Sequence, residues 1–200
     1  MSMTYTSLLA DIENYCERHD ATFLAQIPSF ISNAEVRIAA ENKPFGLQRV
    51  VSGNLTSSVM AKPIRWRRTR SFSIVVGGER KYLKLRTYEY CRSFWPIAAS
   101  TDEPRYYCDY DFEHFLIVPT PNSTYQFELS YYELPEPLSE SNQTSWTTQN
   151  APQLLLYGAL MEAMPFLKNS ERIAEFQGLY DRAMTNIVKE DSERIVDASA

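Results

Sequence analysis

A chain of 200 residues with 44% hydrophobic and 13% aromatic content is too apolar for a disordered chain and long enough to bury about 70% of its unfolded surface without a staple. Its net charge of −5 argues against a general DNA-coating protein, and three scattered cysteines exclude a disulfide framework and suit a reducing cytosol. The opening "MSMTYTSLLADIENYCERHD" has no basic start, and "LLLYGALMEAMPFL" carries Glu162 and Pro165 and is too short to span a bilayer, so neither a signal peptide nor a membrane partner is expected.

In chain order, Leu8, Leu9, Ile12, Tyr15 and Cys16 share one helical face, with Thr6 or Ser7 as the cap. "HDATF" interrupts. A second helix begins near Pro28, carries Ile27, Ile31, Ala34 and Ile38, and stops before Pro44 and Gly46. Aromatic and β-branched residues then take over. "SFSIVVGGERKYLKL" predicts a hairpin at Gly77-Gly78. "STYQFELSYYEL" alternates, with Tyr125, Phe127, Leu129 and Tyr131 on one face, and its expected partner is "HFLIVP" through the turn "PTPNS". Four to six strands in a small sandwich or barrel are expected here. Pro152 opens an almost wholly apolar helix, Pro165 and Asn169 mark a break, and Ile173, Phe176, Tyr180, Met184 and Ile187 stripe a last helix. The expected class is α+β: a helical bundle from both chain ends (1–45 and 150–190) with an inserted antiparallel β domain (46–134). A polar linker (135–149) and a flexible acidic tail (191–200) complete the expected layout.

Chemistry-bearing residues are sparse. Cys16 and His19 could share a metal on one helix, but no second pair has ligand spacing, so no metal or cofactor is expected. Asp109, Asp111 and Glu113 would share one face if extended. A hydrolase or divalent-ion site competes there with a solvated or subunit-facing acidic edge, the preferred reading. No nucleophile pattern or phosphate-cradling glycine loop occurs, so no enzyme is expected.

Charge is the clearest signal. Residues 62–92 hold ten of the twenty Lys and Arg against Glu79 and Glu89 alone, a formal +8 that leaves −13 for the rest. At its head, "KPIRWRRTRSF" supplies Lys62, Arg65, Trp66, Arg67, Arg68 and Arg70. Strict alternation would put Arg68 and Arg70 beside Trp66 and Phe72, with Arg65, Arg67, Thr69 and Ser71 opposite. Arg with Trp suits a protein interface, and it also suits phosphate and base contact. A basic block in an acidic chain favours contact with a subunit or another protein; a nucleic-acid-binding module using 62–92 and a merely solvated face stay open.

The order of "QIPSFISNAEVRI", "KPIRWRRTRSF", "LRTYEYCRSFWP", "PRYYCDYDFEHFLIVPTP" and the run from "YYELPEPLS" through "NAPQLLLYGALMEA" to "YDRAM" resembles the adaptor proteins of tailed bacteriophages. These are also called head-to-tail connector or tail tubular protein A proteins. The resemblance implies a structural virion protein that is made in the host cytoplasm and sits at the head–tail junction. It would form a homo-oligomeric ring of about twelve copies under the portal. The ring would extend the channel for double-stranded DNA without reading its sequence and receive the tail tube or nozzle. The helical part would dock on the portal and the β domain face the tail. Lys189, Glu190, Asp191, Glu193 and Arg194 would order on that partner.

Overall fold

The structure is a computed structural model that describes residues 3–41 and 45–197, with side chains from 194 onward and that of Phe45 outside the description. In chain order it contains α1 (Tyr5–Cys16), α2 (Ala21–Leu24), α3 (Ile27–Glu41), β1 (Gln48–Leu55), β2 (Val59–Ala61) and β3 (Trp66–Val76). There follow β4 (Glu79–Tyr82), β5 (Lys84–Leu85), α4 (Tyr88–Phe94), β6 (Thr101–Asp102), β7 (Tyr106–Asp109) and β8 (His114–Val118). β9 (Thr120–Pro121), β10 (Tyr125–Glu133), α5 (Trp146–Asn150), α6 (Pro152–Phe166) and α7 (Glu171–Asp197) complete the chain. Two compact units result, Met1–Leu47 with Leu134–Ala200, and Gln48–Glu133. The class is α+β, with helices at both ends.

The helical unit is built around α6. Leu154, Leu155, Ala159, Leu160, Ala163 and Met164 are buried together, which an apolar helix requires. α3 offers Ile27, Ile31, Ala34 and Ile38, and α7 offers Phe176, Tyr180 and Met184. At Gly158 a Cβ would lie 3.2 Å from the Ala34 Cβ and 3.3 Å from the Tyr180 ring, so the missing side chain lets α3 and α7 close on α6. The Tyr180 hydroxyl donates to Glu41 Oε2 at 2.7 Å, and Arg37 pairs with Glu162. Pro165 falls in the last turn of α6 rather than ending it.

The cap of α1 is Thr4, not Thr6 or Ser7. Thr4 Oγ1 accepts the Ser7 N–H at 3.1 Å, and Ser7 Oγ accepts the Thr4 N–H at 2.9 Å, a reciprocal box that starts the helix earlier. Within the expected linker, Ser145 caps the short α5 in the same way. The Trp146 ring there lies where a Cβ on Gly46 would be only 2.0 Å away.

The β unit is a sandwich. One sheet runs β1-β10-β3-β4 and the other β2-β8-β7-β5, with β6 and β9 pairing separately. Phe72, Ile74, Leu129 and Tyr131 meet Tyr107, Phe115 and Ile117 in the core between them. Gly77 and Gly78 (φ 60 and 89) turn β3 into β4, as the sequence predicts. The pairing expected for β10 does not form: its neighbours are β1 and β3, and β8 belongs to the opposite sheet. β8 is buried on both faces, Phe115 and Ile117 in the core and Leu116 and Val118 under α4, which only a central strand satisfies. Pro119 and Pro121 also lack the N–H donors a tight hairpin needs. The helix α4 lies inside the segment read as β, capped by Thr87, whose hydroxyl accepts the Tyr90 N–H at 3.3 Å.

Candidate functional site

Nothing among the described residues gathers three or more metal-ligating side chains. His19 Nδ1 lies 2.7 Å from Glu13 Oε1, and burial pushes the Cys16 thiol up to about 11, leaving it a protonated, weak ligand. The carboxylates of 109–113 do not share an extended face. β7 ends at Asp109, which pairs with Lys62. Asp111 turns the chain, its Oδ1 accepting the N–H groups of Glu113 and His114 at 2.7 Å each.

The basic stretch is divided by two β-bulges. Opposite β10, the register slips between Ser130 and Tyr131 and again between Tyr132 and Glu133, leaving Arg70 and Arg67 as the extra residues on β3. Thr69 therefore pairs with the buried Tyr131, while Arg68 pairs with Tyr132 on the outer face. Strict alternation would have driven Arg68 and Arg70 into the core; the bulges turn every β3 cation out.

The six expected residues then play different parts. The Lys62 side chain is 5% exposed, 2.8 Å from Asp109 Oδ1 and 4.4 Å above the Trp66 ring, so it braces the sandwich end. Trp66 meets Phe115 edge-on at 5.4 Å. Arg65, at φ 60, pairs with Glu133 at 3.1 Å, and Arg70 donates to Gln48 Oε1 at 2.5 Å. Arg67 and Arg68 are exposed, with no hydrogen-bond or ion-pair partner among the described residues. Both line an open cleft of about 570 Å³ beside Tyr82 and Leu85. Next to the Lys62 brace, Ile64 and Phe112 stand 84% and 93% exposed.

The expected tail residues 191–197 continue the last helix. α7 runs on to Asp197, with Lys189 3.9 Å from Glu193 and the Ser192 hydroxyl donating to the Val188 carbonyl at 2.8 Å. The residues there are good helix formers, and continuing a formed helix costs less than starting one. Glu190 and Asp191 lie on this helix, the Arg194 side chain is outside the described residues, and so are 198–200.

Sequence reasoning missed a second surface, on α4. Arg92 lies over Tyr88 and Tyr110 at 5.2 and 5.8 Å, and Arg86 lies 5.5 Å from both Tyr90 and Tyr106. Phe94 stacks on Tyr90 at an interplanar angle of 5°. The i,i+4 pairs Tyr88/Arg92 and Tyr90/Phe94 were its sequence signal, obscured in a helix of only seven residues.

Charge divides with the fold. The helical unit holds sixteen carboxylates and eight cations and the β unit nine and twelve, so the total of −5 splits into −8 and +3. The organised features of the described residues are thus surfaces and braces, the construction of a structural assembly protein. The family model for the SU10 adaptor protein matches residues 3–199, and the chain belongs to that family of phage head–tail adaptors. No curated protein matches it.

Proposed function

We propose that this adaptor closes into a ring between portal and tail, in the manner of tail tubular protein A, and lengthens the channel through which the genome leaves. The observation that carries the reading is the split of an adaptor-family chain into units of −8 and +3. Unlike surfaces on one chain favour a head-to-tail contact over a two-fold one, and a head-to-tail contact whose rotation closes gives a ring of about twelve copies. Each contact would bury on the order of 1,000 Å². Copies held side by side on a portal raise one another's local concentration, so a chain that stays monomeric alone closes on its template.

In this arrangement the helical unit docks on the portal, with the end of α7 around Lys189, Glu190, Asp191, Glu193 and Arg194 as the reaching element. The β unit faces the tail nozzle, and duplex DNA passes without base readout. Arg67 and Arg68 are the cations of the basic stretch left free to meet an acidic neighbour or portal surface. Mixing the protein with its portal tests this: sedimentation velocity should convert monomer to a complex of fixed stoichiometry. No association at any concentration of either component contradicts it.

A further inference from the structure

The crest of α4 carries Glu89 and Ser93, and Cys91 points into the sheet, so Tyr88 and Arg92 occupy one flank and Tyr90 and Phe94 the other. On each flank an arginine is held between two tyrosines: Arg92 by Tyr88 and Tyr110, Arg86 by Tyr90 and Tyr106. Arg92 Nε also donates to the Tyr88 hydroxyl at 3.1 Å. Neither guanidinium has a carboxylate partner among the described residues, nor do the exposed Lys84 and Arg105 beside them. An exposed arginine usually loses much side-chain freedom on binding. These two are already oriented by ring faces, leaving N–H edges for a carboxylate. Tyr and Arg so arranged are the composition of interface anchors.

We infer that this α4 face receives the exposed acidic stripe of α7 from a second copy of the chain. The inference rests on the ring reading and names the contact that closes it. The argument for this occupant is complementarity. The face presents four cations around Glu89, with Asp109 and Asp111 flanking Tyr110 at its edge, while the stripe presents Glu171, Glu175 and Asp181 around Ala174 and Gly178, with the exposed Arg182 beside them. A Cβ on Gly178 would meet nothing within 4 Å, so the stripe is flat enough for tyrosine rings to lie on. Its carboxylates are lightly held, Glu175 3.6 Å from Arg172 and Asp181 accepting from Gln177 at 2.7 Å. Duplex DNA is the competing occupant, and against it stand Glu89 on the crest and the ring-covered faces of both guanidiniums.

Ring closure on the portal by full-length protein, read by sedimentation and electron microscopy, decides it. Arg86→Glu with Arg92→Glu should raise the concentration needed for closure at least tenfold, and adding Glu175→Arg with Asp181→Arg should restore it. Because those arginines pack on rings, Lys84→Glu with Arg105→Glu reverses exposed charge on the same face without touching the stacks and should act in the same direction. If wild type closes and both reversals close equally well, the surface assignment falls while the ring stands. Loss without rescue overturns α7 as the counterface. A duplex-DNA gel shift abolished by the reversals while rings persist gives the face to DNA. If wild type never closes, the ring reading fails first and takes this contact with it.

Discussion

The two units solve opposite problems. The helical unit hides its apolar residues: Leu8, Ile12, Phe23, Ala34, Ile38, Leu155 and Ala159 are all fully buried. The β unit has fewer than half the residues, yet it displays eleven of the sixteen exposed large apolar side chains among those described, Ile64, Tyr82 and Phe112 included. It also carries the positive charge. A surface that is both aromatic and cationic is costly to leave in water and is the mark of an element that will be covered. Under the proposed function this is a division of labour in which one unit supplies stability and the other adhesion.

The sharpest way to break this comparison is to damage one unit's core. Phe72→Ala removes a fully buried ring that meets Tyr107, Phe115 and Phe127, and should cost about 3–5 kcal/mol of β-unit stability by chemical denaturation. In the helical unit, Gly158→Leu should cost about 3 kcal/mol, because Ala34 and Tyr180 are already at closest approach and both lie on helices that would have to move apart. Amide exchange over 1–47 and 134–197 would report that loss.

A smaller effect sharpens the comparison through pH. Glu35 is 4% exposed, one oxygen accepts the Leu138 N–H at 3.3 Å, and Oε1 has no partner among the described residues. Burial holds its carboxyl up at about 7, partly offset by that hydrogen bond. The folded state therefore keeps a proton that the unfolded chain releases from about 4.5 upward, so this group's contribution declines as pH rises from about 4.5 to about 7 and is level beyond. Glu35→Gln should flatten that decline and stabilise the unit at pH 8 by up to about 3 kcal/mol. An unchanged slope in denaturant melts from pH 4 to 8 would show that the folded state releases this proton where the unfolded chain does. The smallest effect on folding belongs to Arg67→Glu with Arg68→Glu, within about 0.5 kcal/mol since neither side chain has a partner among the described residues. The same pair should weaken assembly on the portal, most visibly at low salt.

How much of this the residues announce depends on the length of the pattern. Helices with four or five apolar positions on one stripe, α1, α3 and α7, are legible, as are the alternation of β10 and the Gly77-Gly78 turn. What strict periodicity hides is a change of phase. The bulges at Arg67 and Arg70 leave no local signature, and they alone decide that Arg68 faces outward. Lys62 is a second blind spot. Its burial depends on Trp66, Asp109 and Phe115, and the latter two lie over forty residues away. α4 is too short for its spacing to outweigh the β-rich sequence around it, so the Arg86 and Arg92 stacks went unread. Position along the chain locates the basic block; which of its cations remain free is a property of the fold.

Electron microscopy of the wild-type protein mixed with its portal reaches the central claim most directly, because it shows whether copies of one chain join end to end. The account predicts a closed collar coaxial with the portal, the helical unit against it and neighbouring copies in contact through surfaces of opposite charge. Portals that stay bare at every protein concentration, or decorated by isolated copies that never touch, would contradict it.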